Sequence, residues 1–386
     1  MKADPERPRD ASGPGQSAGA GACRRCLRSS WLLGALGVVL DYHGRDVSRL
    51  LGALELEDQQ LIEATAGRRR AQLRERWERF GPEEMPGGGP DVESICRHRD
   101  GWPRTLARRA GAPRMLYVAA GVKRLRALTA DPAVAIVGSR RATDYGMEMA
   151  RSLARGLAAS GVTVVSGFAD GIATAAHSGA LEVDGPTIAA IAGGVDVCRP
   201  ASRRALYERV RARGCALAEL PCGFRERRWC RIACARTVAG LASLTIVVEA
   251  DEGPCELAEA RVAQALGRTV AAVPGRVTSP LSRGTCALLM EGAPLVRGAR
   301  DALELLYGQH TPPGREPALQ EPAKLEPRLR TLLEQVGAGR DTLGKLTVSG
   351  ADAVETMLAL CELELMGLLA RGDGGRYVPR ESLADS

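Results

Sequence analysis

An α/β fold is predicted for this sequence: a doubly wound parallel sheet, with an N-terminal helical domain before it and a C-terminal winged-helix-like domain after it. Three observations predict it. From Ala133 onward, short Val- and Ile-rich runs alternate with longer amphipathic segments. From about Cys23 to Leu106 the apolar spacing is helical, and a short apolar stretch then reaches "RMLYVAAG". After a proline-bearing polar stretch, the chain closes with three short helical patterns and a Gly-Gly hairpin signal.

Taken in order, residues 1–21 are rich in Gly, Pro, Ser and Ala and read as a disordered tail. Residues 22–110 form the helical domain, in which Trp31, Leu32, Leu36, Val39, Leu50, Leu51, Leu54, Leu61 and Ile62 recur at helical spacing. "RRCLRSSWLLGALGVVLDY" superficially resembles a leader. Its apolar run is too short to span a bilayer and lacks small cleavage-site residues, so it reads as a buried helix of a cytoplasmic protein. "GRRRAQLRERWERF" reads as a solvated basic helix, and "GPEEMPGGGP" as a loop.

Residues 111–308 carry the sheet. The runs "AVAIVG", "VTVVSG", "TIAAIAG", "ALAEL", "LTIVVEA" and "TVAAVPG" are continuous apolar strands separated by helical segments, the pattern of a parallel sheet covered on both faces. Residues 309–324 are a linker, and residues 325–380 the winged-helix-like domain. Its expected recognition helix, Ala351 to Met366, carries Asp352, Glu355, Glu362 and Glu364 and no basic residue, so no duplex binding is expected of it.

The chain has 386 residues and a formal charge of +7, concentrated in its middle. Residues 111–308 hold 25 basic and 18 acidic side chains, against 19 and 16 before them and 9 and 12 after. A basic surface attracts polyanions. Eleven cysteines without a disulfide framework indicate reduced thiols. Cys23-x-x-Cys26 has metal or redox spacing, but no second pair at zinc-finger spacing follows, and no metal or other cofactor is expected.

In an open α/β sheet, ligands bind beyond the carboxyl ends of the strands. The residues standing there are Gly138, Ser139 and Arg140; Ser166, Gly167 and Gly171; Gly193, Gly194, Asp196 and Arg199; and Pro274, Gly275, Arg276, Ser282, Arg283 and Gly284. Glycines admit an anion to the backbone, helix starts offer free N–H groups, and arginine forks phosphate. "VGSRR" lacks the later glycines of a dinucleotide fingerprint, and no acid follows the second strand directly, which argues against nicotinamide binding. Between Arg199 and Arg236 there are 11 basic and 3 acidic residues in 38 positions, a density suited to a phosphodiester backbone. Tyr145, Phe168, Phe224 and Trp229 lie near these loops, as candidates for base stacking or for packing. His177, with Ser166 and Asp170, does not assemble a catalytic set, and no catalytic residue is assigned.

The runs "VAIVGSR", "GVTVVSGFADGIATAAHSGAL", "TIAAIAGGVDV" and "AVPGRVTSPLSRGTCALLMEGA" together resemble the DNA-processing protein A (DprA, or Smf) family over residues 102–300. That resemblance implies an extended Rossmann-like fold that binds single-stranded DNA without sequence preference, forms homodimers, protects incoming DNA and loads the RecA recombinase during natural transformation. It implies no catalytic turnover. Carried over by motif, the DNA contacts are Gly138, Ser139, Arg140, Ser166, Gly167 and Gly171, with Asp196, Arg199 and Arg236 as further positions.

The chain departs from the family pattern at several of these places. Ala169-Asp170-Gly171-Ile172-Ala173 stands where Ala-Arg-Gly-Ile-Asp is usual, so a basic residue has become acidic. Arg199-Pro200 replaces Tyr-Pro, Cys234-Ala235-Arg236 replaces Arg-Asn-Arg, Gly253-Pro254-Cys255 replaces a Ser-Gly-rich turn, and Cys286 stands for an Asn. An Asp170 near a phosphate path needs a cation, for which Arg140 or Arg141 is the expected partner. Two rival readings use the same edge: a nucleoside-monophosphate-hydrolysing Rossmann enzyme and a small-nucleotide sensor. The first wants a Pro-Gly-Gly-x-Gly-Thr loop with a following Glu, and "VPGRVTSPLSRGT" has neither the glycine pair nor the acid.

Overall fold

The computed structural model describes residues 21–44, 46–81, 91–106, 111–198, 201–308, 326–347, 350–366, 368–372 and 376–379. Residues 1–20 of the expected tail, the linker, Arg199 and the Gly374-Gly375 pair lie outside them.

Eight strands make the main sheet: β1 Val92–Cys96, β2 Met115–Ala119, β3 Ala133–Val137, β4 Thr163–Gly167, β5 Thr187–Ala190, β6 Cys215–Ala218, β7 Leu244–Val247 and β8 Thr269–Ala272. Their spatial order is β1-β2-β6-β5-β4-β3-β7-β8. The six runs read from the sequence as strands are β3 to β8, and all of their pairings are parallel. Each is bounded by a Gly, Ala or Pro turn and is apolar on both faces, because helices cover both sides.

The sheet begins earlier than the expected boundary at residue 111. Strands β1 and β2 pair antiparallel with each other, and β2 pairs antiparallel with β6. The sheet is therefore mixed, and β1 belongs to it although it lies within the segment read as helical.

Helices Asp144–Ala159, Ile172–Glu182 and Ala299–Tyr307 cover one face around Val134, Ile136, Leu153, Leu157 and Val164. The other face is covered largely by helices Arg228–Leu241 and Ala258–Ala265, packed on Ala135, Val165, Ile188 and Leu217. The N-terminal helices, Arg24–Ala35, Gly37–His43, Val47–Glu55, Asp58–Thr65 and Arg70–Glu78, share a core with one end of helix Arg228–Leu241. There Leu32, Leu36, Leu40, Leu50 and Ile62 meet Trp229, Cys230 and Ile232. The leader-like segment folds as two helices, not one, whose Leu32, Leu36 and Leu40 are buried in this core while Val38 and Tyr42 are exposed.

The basic stretch after Gly67 turns Leu73, Trp77 and Phe80 inward. It holds Arg70 and Arg74 on Glu63, and Arg79 on Glu75. Asp58, buried at the centre of this unit, accepts from Ser29 Oγ at 2.9 Å, Trp77 Nε1 at 2.9 Å and Arg114. Since Arg114 also donates to Leu56 O and lies just before β2, it ties the helical unit to the sheet.

The C-terminal residues form helices Pro327–Gly337, Leu343–Leu346 and Gly350–Leu365, then β9 Leu369–Gly372 and β10 Arg376–Pro379, which pair antiparallel. Leu329, Leu333, Leu360, Leu363 and Tyr377 make a separate small core. Among the described residues no helix is long and apolar enough to cross a membrane.

Candidate nucleic-acid interface

The carboxyl ends of β3 to β8 form one edge, and β3 and β7 flank the point where the strand order reverses. Gly138 leaves β3 with a positive φ of 154°. A Cβ there would stand 2.4 Å from Glu249 O, so only glycine lets the two loops touch. Ser139 N donates to Glu249 O at 2.6 Å, and Ser139 O accepts from Ile172 N at 3.2 Å. Gly171, at φ 74°, lies so close to the backbone of Ser139 and Arg140 that a Cβ would meet Ser139 O at 2.3 Å. The loops after β3 and β4 are thereby locked together. On their outer side Arg140 and Arg141 are exposed, with no ion pair among the described residues.

Sequence reasoning passed over Glu249, the acid two residues after β7. Its carboxylate is buried and accepts from Thr143 N at 2.8 Å and Thr143 Oγ1 at 2.6 Å. Thr143 caps helix Asp144–Ala159. Glu249 therefore occupies the helix N-terminus at the switch point, where a dinucleotide fold seats its pyrophosphate. Gly146 leaves it room, since a Cβ there would stand 2.3 Å from Glu249 Oε2.

The remaining expected positions separate into open and closed ones. Gly167 is half-buried with open space where a Cβ would stand. Ser166 is fully buried, and its hydroxyl donates to Ile136 O at 2.7 Å, so it serves the sheet and faces no ligand. Asp196 accepts from Gly223 N at 2.8 and 3.0 Å, joining the loops after β5 and β6.

Arg236 is buried beside Glu219, with its NH1 group donating to Gly111 O at 2.9 Å, and cannot meet a strand without unfolding this corner. Its consensus place in the motif concealed that role. Ser282 is buried beneath Gly275, and Arg283 pairs with Asp251 at 3.3 Å. Arg276 stays exposed.

Asp170 has its cation, but not the expected one. Arg203 Nε lies 3.1 Å from Asp170 Oδ1, and its NH1 group donates to Phe168 O at 2.8 Å. The acid at a usually basic place is thus matched by an arginine from the following basic run, which leaves Arg140 and Arg141 unspent.

Three of the four candidate aromatics pack inward. Trp229 is fully buried, Phe224 lies against it with ring centroids 6.1 Å apart, and Phe168 packs on Tyr207 at 5.7 Å. Tyr145 alone of the four is exposed on this edge, with its hydroxyl donating to Pro274 O. Around Phe224, Arg225, Arg227 and Arg228 are exposed and make no ion pair among the described residues.

His177 is wholly buried, with Nε2 2.9 Å from Gly167 O and Nδ1 2.8 Å from Thr187 Oγ1. Burial pushes it down to about 4, so at neutral pH it is uncharged and its Nε2–H donates to Gly167 O. It positions the β4 loop. Because the folded pKa lies below the ordinary 6.5, the unfolded chain binds more protons between about pH 4 and 6.5. Stability therefore falls as pH drops through that window, by about 2 kcal/mol between pH 7 and 4.5. Urea unfolding across that range checks this. His177→Gln should remove that part of the slope, and an unchanged slope would assign it elsewhere.

Comparison with known proteins decides the family. The model of the family described as DNA recombination-mediator protein A matches residues 93–307, more than half of the chain. This chain belongs to that family. Among its relatives, a putative DNA processing protein DprA of Mycobacterium tuberculosis is 40% identical over 275 residues, covering 69% of each chain. Protein Smf of a Synechocystis species is 29% identical over 365 residues, covering 86% of this chain and 89% of its own. The X-ray structure of DprA from Streptococcus pneumoniae aligns with a TM-score of 0.58 at 28% identity, over 73% of this chain and 98% of that one. The mostly parallel sheet flanked by helices is the fold of that structure, and the family is one of DNA-processing recombination mediators. Its matched span starts inside β1, in agreement with a sheet that begins before residue 111.

Proposed function

We propose that the carboxyl edge of the sheet binds a single strand of DNA along its phosphates, as a recombination mediator's DNA-holding face. One observation carries this reading: the single-phosphate seat is filled from within, while the cations lie outside it and spread along the edge. Glu249 fills the helix N-terminus at the switch point. Exposed arginines stand after β3 (Arg140, Arg141), after β6 (Arg225, Arg227, Arg228) and after β8 (Arg276). From β6 to β8 the sheet order covers five strand spacings, about 24 Å at ~4.8 Å each. That span suits several successive phosphates and exceeds one nucleotide. Gly138, Ser139, Gly167 and Gly171 shape the floor on which Arg140 stands, and Arg199 opens the basic run that contains Arg225, Arg227 and Arg228.

The filled seat also weighs against the small-nucleotide sensor and against a nucleotide-cleaving enzyme. Homodimer formation, recruitment of RecA and protection of incoming DNA are part of the same proposal, by membership of the family. For the C-terminal segment we propose a winged-helix-like unit that contacts protein. Its long helix pairs Glu362 with Arg328 and Glu364 with Arg371, and exposes Val354, Met357 and Leu358 on one face.

Fluorescence anisotropy of a labelled oligonucleotide at several salt concentrations tests the reading. The expected slope of log affinity against log salt is about −3 to −4, for roughly five phosphates neutralised at ~0.7 each. Duplex should bind more weakly, and free nucleotides should not compete. Weak salt dependence with competition by a mononucleotide would favour the sensor.

A further inference from the structure

Cys23 and Cys26 do not stand alone. Cys23 is the residue before helix Arg24–Ala35, and Cys26 lies in that helix's first turn. Against them the fold brings Cys96, the last residue of β1, and His98 in the turn that follows. The three sulfurs and one ring nitrogen all lie within 4.8 Å of one another. His98 Nδ1 is 3.3 Å from Cys23 Sγ and 3.4 Å from Cys26 Sγ. A tetrahedral zinc ion bound by sulfur at ~2.3 Å and nitrogen at ~2.05 Å sets S···N edges of about 3.6 Å and S···S edges of about 3.8 Å. The two S···N distances lie close to that edge, and every pair of ligand atoms lies within 4.8 Å.

We propose that Cys23, Cys26, Cys96 and His98 form a structural zinc site that fastens the first helix to the edge strand of the sheet. Four protein ligands leave no open position, which suits a structural role and not a catalytic one. Three soft thiolates and one imidazole are a donor set that selects zinc over harder divalent ions. The surroundings are built for thiolates. Cys23 N points at Cys96 Sγ from 3.4 Å, and the amino end of the helix favours the net negative charge of a three-thiolate site.

The backbone is held on both sides as well. Ala22 N donates to Ser94 Oγ at 3.2 Å, Arg99 Nε donates to Gly21 O at 3.1 Å, and Arg97 N donates to Arg114 O at 3.1 Å. A metal here closes a long loop between residues 23 and 96, so its binding free energy becomes folding free energy for the helical unit. The sequence hides the site because its halves are a C-x-x-C and a C-x-H some seventy residues apart, and the second has no zinc-finger spacing to the first.

The test uses the full chain purified under reducing conditions. Metal analysis should find one zinc per chain, and cobalt added to the metal-free protein should give the intense visible bands of a tetrahedral, thiolate-rich site. His98 is exposed, so His98→Ala should fold while holding zinc more weakly than the ~10–100-fold loss that removing an outer-shell partner causes. Cys96→Ser should abolish stoichiometric zinc. Hydrogen exchange in residues 22–35 and 92–98 should quicken when zinc is removed and slow again when it is restored. A reduced chain that binds neither zinc nor cobalt would overturn the proposal. So would a stable Cys23–Cys26 disulfide in the protein as isolated from reducing cytoplasm, or full zinc retention by both variants.

Discussion

Replacing Arg140 with alanine lowers affinity for a single-stranded oligonucleotide by about 10-fold or more, since a hydrogen bond to a charged group contributes roughly 1.5–3 kcal/mol. The side chain is exposed and without an ion pair among the described residues, so its removal leaves the fold intact. Its loss should also flatten the salt slope by ~0.7, one phosphate contact. Arg140→Lys should recover the slope better than the affinity, because an ammonium keeps the charge but not the bidentate fork. Removing Arg141 and Arg276 as well should add nearly independent losses where the strand contacts all three. Anisotropy titrations at matched salt read these effects, with urea unfolding to show unchanged stability. A mutant that binds as tightly as the parent would place the strand elsewhere.

Arg236→Ala should have the opposite signature: a large loss of stability. Arg236 and Glu219 are both buried, and Glu219 also accepts from Thr237 Oγ1. Removing one partner of such a pair strands the other charge and costs about 3–5 kcal/mol. Arg236 also reaches Leu54 O at 3.4 Å and Gly111 O at 2.9 Å, so the helical unit loosens with it. The double variant Arg236→Met with Glu219→Leu should regain much of the loss, because it leaves no buried charge unpaired. Urea unfolding of the two variants checks both expectations. Loss of binding without loss of stability in Arg236→Ala would return this residue to the interface.

That contrast shows what was legible in the residues. Strands β3 to β8 could be read because a parallel strand buried on both faces is a continuous apolar run, a pattern that helices and loops rarely mimic. β1 and β2 were harder. "VESIC" is short and half-polar, and antiparallel addition to an edge leaves no mark beyond the two strands themselves. The glycines at 138 and 171 were legible as special positions, since close backbone approach excludes every other residue.

Burial of individual side chains was not legible. Ser166 and Arg236 stand at motif positions and Trp229 near the loops of the same edge, yet each is buried in the interior. Nor could residue type alone reveal that Asp170 is matched by Arg203, thirty-three positions later, or that Glu249 reaches across to cap the helix after β3. Long-range pairing of charged groups is a property of the fold. It becomes visible only when strands far apart in sequence lie side by side.

The most direct test of the edge as the strand-binding face is arginine footprinting. The full chain is treated with an arginine-selective reagent, with and without a saturating single-stranded oligonucleotide, and modification is read site by site by mass spectrometry. Binding of the strand along this edge should protect Arg140, Arg141, Arg225, Arg227, Arg228 and Arg276, all exposed in the free protein. Arg68, Arg69 and Arg330, also exposed but carried by elements outside the sheet and its loops, should react equally in both samples. Protection of those three, with Arg140 and Arg276 unchanged, would contradict it.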